Sequence, residues 1–487
     1  MLRKIINNKT YLFWLALLLI VVKLALLPFA QVNDADAVSR TFLAVAWKEN
    51  PVWIISNVWA PFYFYMNGFF LSFVDSYLYT IPVVNIFFSA FMLIPFYYFV
   101  KREFNSKGAI YTTFFLAISP VLFRISFMAL SEIPYLFFLV LTLNLISKGS
   151  RQNSKILITL AGLSITIASG FRYESWIITF FLFAALLLKR KWKEGLLFGM
   201  VASVFPVLWL FTCWHTTGDP LISFKWAKEA YVNNGFSGME SLLRRFWFFP
   251  FSWYIALGPV VTFLVLKYIF RDFRNKQDRA LSVDWSLIFW AMLMVFEYNC
   301  FKGALLLQHR FTGTLVLFSL PFAANYFNDF SFRKIRLAAI SIVLVVGLSF
   351  VYNTDGIKPV PRLRDRSVQN ISDIVHGNLT STSCLITDFA GWDNTYFIAL
   401  NCGINPKQIV MLPDNDSKVD SSSYAIIHAT MAKFDKGLII FRNGSKFSKE
   451  AVIEKDHLIF RFSIDDTLKT EKIYSDEKLA VMKWRRR

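Results

Sequence analysis

The chain has 487 residues, of which 55% are hydrophobic and 18% aromatic, and soluble proteins have an apolar fraction nearer 45–50%. Its formal net charge is +19, a balance that in a soluble protein would suggest nucleic-acid binding. Here the lysines and arginines lie mostly in short connectors between apolar segments, which is typical of membrane proteins. The composition therefore excludes an ordinary soluble protein, argues against a nucleic-acid partner and predicts an integral membrane protein.

Apolar segments follow one another through residues 1–352. Several are shorter than the ~20 residues that a perpendicular transmembrane helix needs, so their boundaries are soft. We predict an α-helical polytopic membrane domain with about eleven transmembrane helices. The eleven segments are 11–30, 81–100, 109–123, 133–147, 156–170, 175–188, 195–213, 251–270, 285–300, 311–327 and 337–352.

Basic residues are divided unequally between the two sets of connectors. The connectors 1–10, 101–107, 148–155, 189–194, 267–279 and 328–336 hold 21 Lys and Arg, whereas 31–80, 124–132, 171–174, 214–250 and 301–310 hold ten in about twice the length. Cytoplasmic connectors carry the excess of positive charge. The sequence therefore predicts a cytoplasmic N-terminus, with the long first loop and the tail on the extracytoplasmic side (periplasm, cell exterior or ER lumen).

The first apolar segment has two interpretations. The basic stretch before it suits a cleaved signal peptide, but its apolar run is longer than that of a signal and polytopic sequence follows. We expect an uncleaved first helix.

From about residue 353 the sequence becomes polar and mixed, with short strand-like runs such as "SCLITD", "QIVML" and "GLIIF". A helical stretch lies between the first two, so we predict a small α/β domain over 353–487. Its cysteines, Cys384 and Cys402, permit a disulfide in an oxidising compartment without requiring one. We expect this domain to assist acceptor binding or stability rather than catalysis.

Nucleotide and metal motifs are missing from the sequence. It has neither a GxxxxGK[ST] loop nor an HExxH helix, so it shows no sign of ATP use and identifies no metal ligands. The cofactor stays unknown, and a divalent cation is neither required nor excluded.

Charged residues recur in the predicted outer loops, close to the membrane. Each has a structural interpretation: the loop acids could be solvated, Glu132 could complement a helix dipole, and Arg172 could simply pair with Glu174. Charge near hydrocarbon is costly, however, and tends to be functional. Its clustering on one side argues against a transporter, whose sites lie near the midplane. The candidates are Asp34, Asp36, Glu132, Arg172, Glu174, His309 and Arg310.

Carboxylates and arginines on an outer membrane face suit glycosyl transfer from a lipid-linked sugar phosphate. Guanidinium groups bind a leaving phosphate bidentately, and an aspartate can accept the proton of the attacking acceptor hydroxyl. One carboxylate suffices for an inverting displacement, because phosphate already leaves readily. The predicted partners are therefore a polyprenyl-phosphate sugar, a protein, lipid or glycan acceptor, and membrane lipids.

The sequence resembles the GT-C superfamily of polytopic glycosyltransferases, particularly the protein O-mannosyltransferases and lipid A aminoarabinose transferases. Three stretches carry the resemblance, "NDADAVSR", "MALSEIPYLFF" and "QHRFTGTLVLFSLPFA". The first implies Asp34 or Asp36 as the catalytic base, and the second implies a site role for Glu132. The third implies that Arg310, and more weakly His309, faces the donor phosphate.

Several alternatives stay open at this point. Ala35 separates the two acids, which lie on one side of an extended segment but about 200° apart on a helix, so either can be the base. We place Arg172 with the donor phosphate and Glu174 as a supporting group. The rival functions are a transporter or lipid flippase, and a non-catalytic membrane assembly protein.

Overall fold

The structure is a computed structural model. It describes residues 8–30, 35–53, 58–74, 76–77, 79–104, 108–233, 242–274, 285–302, 305–327, 335–340, 342–343, 346, 366–380, 383–388, 392–412, 421–445, 447–448, 451–454, 457–460, 468–477 and 479–486. The chain forms two compact units. One comprises Met1–Ala30, Val52–Tyr63 and Pro82–Pro359, and the other Gln31–Pro51, Phe64–Ile81 and Val360–Arg487.

Helices make up nearly all of the described chain before residue 320. Their Leu-, Phe- and Ile-rich sequences suit a helix in lipid, where the backbone must satisfy its own hydrogen bonds. In chain order they are α1 (Asn8–Leu26), α2 (Ala35–Glu49), α3 (Phe62–Leu71), α4 (Thr80–Phe91), α5 (Leu93–Glu103), α6 (Gly108–Ala117), α7 (Pro120–Ile125), α8 (Glu132–Gln152), α9 (Lys155–Phe171), α10 (Glu174–Leu188), α11 (Trp192–Ala202), α12 (Val204–Thr217), α13 (Ile222–Asn233), α14 (Leu242–Leu257), α15 (Pro259–Arg274), α16 (Trp285–Phe301) and α17 (Gly313–Ser319). Short 3₁₀ turns occupy Leu27–Phe29, His309–Thr312 and Leu320–Asn325.

Among the described residues, four helical stretches are long and apolar enough to cross a membrane, and the bent pair α14–α15 adds a fifth if it counts as one span. They are Thr10–Phe29, Thr80–Glu103, Glu132–Gln152 and Trp192–Thr217. Further apolar helices have only 10–17 residues, fewer than the ~20 of a perpendicular span. The predicted helical membrane class is confirmed, whereas the number of eleven spans stays a prediction.

Two of the segments predicted as continuous are broken directly before a proline. The segment at 251–270 is split at Gly258, where φ is 74°, and α14 and α15 meet there at 112°. The segment at 109–123 is split at Ser119, which is extended with ψ of 122°. In both cases the next residue is a proline, which disfavours a helical conformation in the residue before it.

A buried polar cluster joins α5, α8 and α16. Glu103, at the end of α5, accepts hydrogen bonds from the Ser147 hydroxyl at 2.5 Å, Arg151 Nε at 2.9 Å and Trp285 Nε1 at 3.2 Å. The Glu103 side chain is fully buried. Three hydrogen-bond donors replace the water that it loses and so offset the free energy of desolvation. The cluster thus connects helices that are distant in sequence.

The tail forms an α/β domain, as predicted. Its five-stranded sheet has the order β2–β1–β3–β7–β6, with β1 parallel to β2 and β3, and β7 antiparallel to β3 and β6. A separate antiparallel hairpin pairs β4 with β5. The elements are α18 (Arg366–Asn378), β1 (Ser383–Thr387), α19 (Trp392–Asn401), β2 (Ile409–Met411), α20 (Ser421–Met431), β3 (Lys436–Arg442), β4 (Ala451–Glu454), β5 (His457–Phe460), β6 (Leu468–Ser475) and β7 (Leu479–Arg486).

An apolar core covers each face of this sheet. One contains Ile386, Phe441 and Phe447, and the other contains Leu385 and Ile440. Alternate strand residues supply the two cores because successive side chains point to opposite faces.

The two cysteines of the tail do not form the permitted disulfide. Both Cys384 and Cys402 are free thiols, and the first lies in β1 and the second just after α19. Burial raises the pKa of Cys384 to about 12 and that of Cys402 to about 11. The thiols therefore stay protonated and unreactive at neutral pH.

The unit that contains the tail also includes parts of the long first loop. Helix α2 belongs to it entirely. The Trp47 ring of α2 packs on the Tyr65 ring of α3, with centroids 5.1 Å apart. The predicted division of the chain at residue 352 stays a prediction.

We expect Glu103→Gln to lower the free energy of unfolding by roughly 1–3 kcal/mol, because the amide NH₂ cannot accept the bonds that the carboxylate accepts. The Arg151 side chain is 38% exposed, so Arg151→Gln should cost less, about 1 kcal/mol or below. Thermal unfolding in detergent measures both, and an unchanged midpoint for Glu103→Gln would contradict a stabilising role of the cluster.

Candidate active site

Four helix ends in the first unit place charged side chains together. Glu132 is the first residue of α8, and Glu174 is the first residue of α10. Arg172 caps the end of α9 in an extended conformation, and Arg310 lies in the 3₁₀ turn before α17. Acidic residues are favoured at helix N-termini by the helix dipole, so both glutamates suit their positions.

Glu132 and Arg172 form the centre of this cluster. Arg172 Nη1 lies 2.6 Å from Glu132 Oε1, and Arg172 Nη2 lies 2.5 Å from Glu174 Oε1. Arg310 Nε approaches the same Oε1 of Glu132 at 3.3 Å. Arg172 therefore bridges two carboxylates, and Glu132 contacts two guanidinium groups.

The cluster is buried and formally neutral. The side chains of Glu132, Arg310 and Arg172 are 3%, 6% and 10% exposed, whereas that of Glu174 is 27% exposed. Burial alone would lower the pKa of Arg172, but the carboxylates of Glu132 and Glu174 outweigh it and raise the pKa. The guanidinium therefore stays charged, which a buried cation does only with such partners.

Aromatic and hydroxyl side chains line the small, partly open cavity beside the cluster. The Phe311 ring lies under both guanidinium groups, 5.1 Å from the Arg172 carbon and 5.3 Å from that of Arg310. Tyr135 and Thr314 share a hydroxyl–hydroxyl hydrogen bond of 3.2 Å. The cavity thus presents cations on an aromatic floor beside two hydroxyl groups.

His309 contacts α14 although it neighbours Arg310. Its Nδ1 lies 2.8 Å from the Ser252 hydroxyl, and its ring stacks on Phe248 at 4.8 Å. Burial, reinforced by the charge of Arg124, lowers the pKa of His309 below its ordinary value. A neutral imidazole is therefore favoured at neutral pH.

The backbone before Arg172 packs unusually closely. A Cβ built on Gly170 would lie 2.2 Å from the Phe62 ring. Only glycine gives the ring access to the backbone at this position. The Phe62 contact therefore helps to place the end of α9.

Of the seven predicted residues, Glu132, Arg172, Glu174 and Arg310 are brought together. Asp34 lies outside the described residues. Asp36 lies in the first turn of α2 and is partly exposed, in the unit that contains the tail.

Sequence reasoning missed Tyr135, Phe311 and Thr314. Tyr135 follows Glu132 by three residues on α8, a spacing that places side chains on one helix face, whereas Thr314 lies on α17, after the 3₁₀ turn that holds Arg310. That spacing was the available signal. Within the described residues, no group of three His, Cys, Asp or Glu side chains could hold a metal ion.

Solved structures with the same fold are membrane transferases. The chain is similar to ArnT from Cupriavidus metallidurans bound to undecaprenyl phosphate, with 11% identity and a TM-score of 0.65 over 98% of both chains. The apo state of that protein gives a TM-score of 0.61 at 11% identity over 96% of this chain and 97% of that one. The Archaeoglobus fulgidus oligosaccharyltransferase in complex with Zn and sulfate gives 0.53 at 15% identity, over 91% of this chain and 68% of that one.

At 11–15% identity these similarities show that the chain has the same fold as these solved structures. No family model matches the sequence, and no curated protein matches it. The fold and the apolar helices together make the chain an integral membrane protein.

We expect Glu132→Gln to destabilise the protein by about 3 kcal/mol, because it removes the buried carboxylate that Arg172 and Arg310 share. Glu174→Gln should cost about 1 kcal/mol, because its side chain is 27% exposed. Both substitutions replace a glutamate by a glutamine of the same size, so thermal unfolding of the two variants measures the difference in their losses of stability. Equal losses would show that Glu132 has no special place in the cluster.

Proposed function

We propose that this protein is a membrane glycosyltransferase that moves a sugar from a polyprenyl-phosphate donor to a protein, lipid or glycan acceptor. The observation that carries the proposal is the buried cluster of Glu132, Arg172, Glu174 and Arg310 at converging helix ends. Its setting in a GT-C fold adds support, since ArnT of this fold binds undecaprenyl phosphate.

The donor phosphate would be bound by Arg310 with Arg172, and His309 would contribute a hydrogen bond from its neutral ring. A guanidinium group presents five N–H donors in a planar fork, so an arginine that already contacts a carboxylate can also bind a phosphate oxygen. Glu132 and Glu174 would act as supporting groups by holding both arginines in fixed positions. Preorganised cations of this kind stabilise the charge that develops on a leaving phosphate.

Asp34 or Asp36 would serve as the general base. The base takes the proton of the acceptor hydroxyl as the oxygen attacks the anomeric carbon, and the bond to the phosphate oxygen breaks. Attack opposite the leaving group inverts the anomeric configuration. Because α2 begins at Ala35, Asp36 is carried on a helix, which holds a side chain more rigidly than a loop does.

The basic connectors support a cytoplasmic N-terminus and eleven spans, with the active site and the tail on the extracytoplasmic side. A lipid-linked donor suits that side, where nucleotide sugars are generally absent. The arrangement also agrees with the lack of a nucleotide-binding loop in the sequence.

Asparagine variants of the two aspartates test the base. Purified protein in nanodiscs is supplied with a panel of undecaprenyl-phosphate-linked hexoses and pentoses together with protein, lipid and glycan acceptors, and the release of undecaprenyl phosphate is followed. Loss of a general base costs about 10²–10⁴-fold in rate. We expect that loss for Asp34→Asn or Asp36→Asn, with normal thermal unfolding. Wild-type rates in both variants would refute the base, and no turnover of any donor by the wild-type protein would refute the transferase.

Arginine variants test the phosphate site. Arg310→Lys keeps the charge but loses the planar fork, so we expect the Kd for undecaprenyl phosphate to rise about tenfold, a loss of roughly 1.4 kcal/mol. The matched control is Arg102→Lys, because Arg102 bonds to Asn144 and Ser147 in another part of the first unit. Equal effects of the two variants on lipid binding would contradict the assignment of Arg310.

A further inference from the structure

The helix that carries Asp36 is packed on the tail domain. The ring of Phe42 in α2 stacks on that of Tyr396 in α19, with centroids 4.0 Å apart and planes inclined by 17°. Both residues belong to the same compact unit. Offset stacking at this distance contributes about 0.5–1.5 kcal/mol beyond apolar burial, so the stack is a defined attachment point for α2.

The attachment reaches the core of the domain. Ile398 and Ala399 of α19 are buried among Leu438 and Ile440 of the central strand β3, and Phe42 packs against this same cluster. Any displacement of α19 relative to the sheet would therefore be passed to Phe42. The tail thus offers α2 a support that is itself rigid.

Helix α2 is also fixed along the rest of its length. Ala37, Thr41, Ala44 and Val45 are at most 4% exposed, and their spacing forms one buried helix face. Near the end of the helix, the Trp47 ring packs so closely on α3 that a Cβ on Gly68 would lie 2.4 Å from it. The Phe42 stack lies between this point and the acidic first turn.

Asp36 precedes Phe42 by six residues, which is about 9 Å along a helix. A rotation or slide of α2 at Phe42 would therefore displace the Asp36 carboxylate by a similar amount. In catalysis a misplacement of 1 Å can cost about 10²-fold in rate. If Asp36 is the base, the reaction rate therefore depends on the position of α2.

We propose that the tail domain positions the catalytic base, with Tyr396 and Phe42 as its positioning residues. The proposal rests on the function proposed above and adds a role for the tail. The Tyr396 ring holds Phe42, Phe42 holds α2, and α2 presents Asp36.

The test compares Tyr396→Ala with a matched control. Phe447→Ala removes a more deeply buried ring, 5.0 Å from that of Phe441, from the opposite face of the same sheet. We expect Tyr396→Ala to lower kcat at least tenfold, with the Kd for undecaprenyl phosphate within twofold of wild type. Tyr396→Phe keeps the ring and should keep kcat within about threefold. Phe447→Ala should lower the unfolding midpoint of the domain but leave kcat unchanged.

Hydrogen–deuterium exchange of residues 35–49 provides a readout without substrate. It should rise in Tyr396→Ala and Phe42→Ala and stay at the wild-type level in Phe447→Ala. Unchanged exchange and kcat in Tyr396→Ala, or equal changes in Phe447→Ala, would overturn the positioning role.

The two proposals fail in different ways. If Asp36→Asn is inactive while Tyr396→Ala is fully active, the positioning role fails and the transferase stands. If Asp36→Asn is fully active, Asp36 is not the base, and the role of the tail in positioning it is overturned even where the exchange of α2 changes.

Discussion

Glu132 is the carboxylate on which the arrangement of the first unit depends. It is buried at the start of α8 and shares one oxygen with Arg172 and Arg310, and a buried carboxylate without cationic partners would cost several kcal/mol. That requirement forces the end of α9 and the turn before α17 to meet the start of α8. Glu174 then completes the charge balance from α10. The contacts among these helix ends satisfy the buried charge of Glu132.

Helix α8 is tied by carboxylates at both ends, and the two ends differ in what they offer a ligand. At its last turns Ser147 and Arg151 donate hydrogen bonds to Glu103. The carboxylate oxygens of Glu103 thus accept three bonds, two from these residues and one from Trp285. At its first turn, the guanidinium groups of Arg172 and Arg310 lie over the Phe311 ring beside a cavity. The Glu103 cluster is closed and fits a structural role. The cluster around Glu132 lies beside a partly open cavity.

The sequence was informative where chemistry is local. The predicted residues Glu132, Arg172, Glu174 and Arg310 are in contact because each lies at a loop between apolar segments on one predicted side. Arg310 contacts Glu132 although the two residues are 178 positions apart in the sequence. This contact depends on how the helices pack, which hydrophobic periodicity does not predict. The orientation of His309 toward Ser252 could not be predicted from the sequence either. The association of α2 with the tail arises from an aromatic pair, and no spacing rule links Phe42 to Tyr396. By contrast, the breaks before Pro120 and Pro259 could have been predicted from proline itself, although both segments were predicted as continuous.

The close approach of Phe62 to Gly170 constrains how this chain can diverge. Any side chain at position 170 would overlap the aromatic ring, so the two positions cannot drift independently. An alanine at position 170 would require the Phe62 ring to shift or to be replaced by a smaller side chain. Substitutions at these two contacting positions are therefore expected to be coupled in their effect on stability rather than additive.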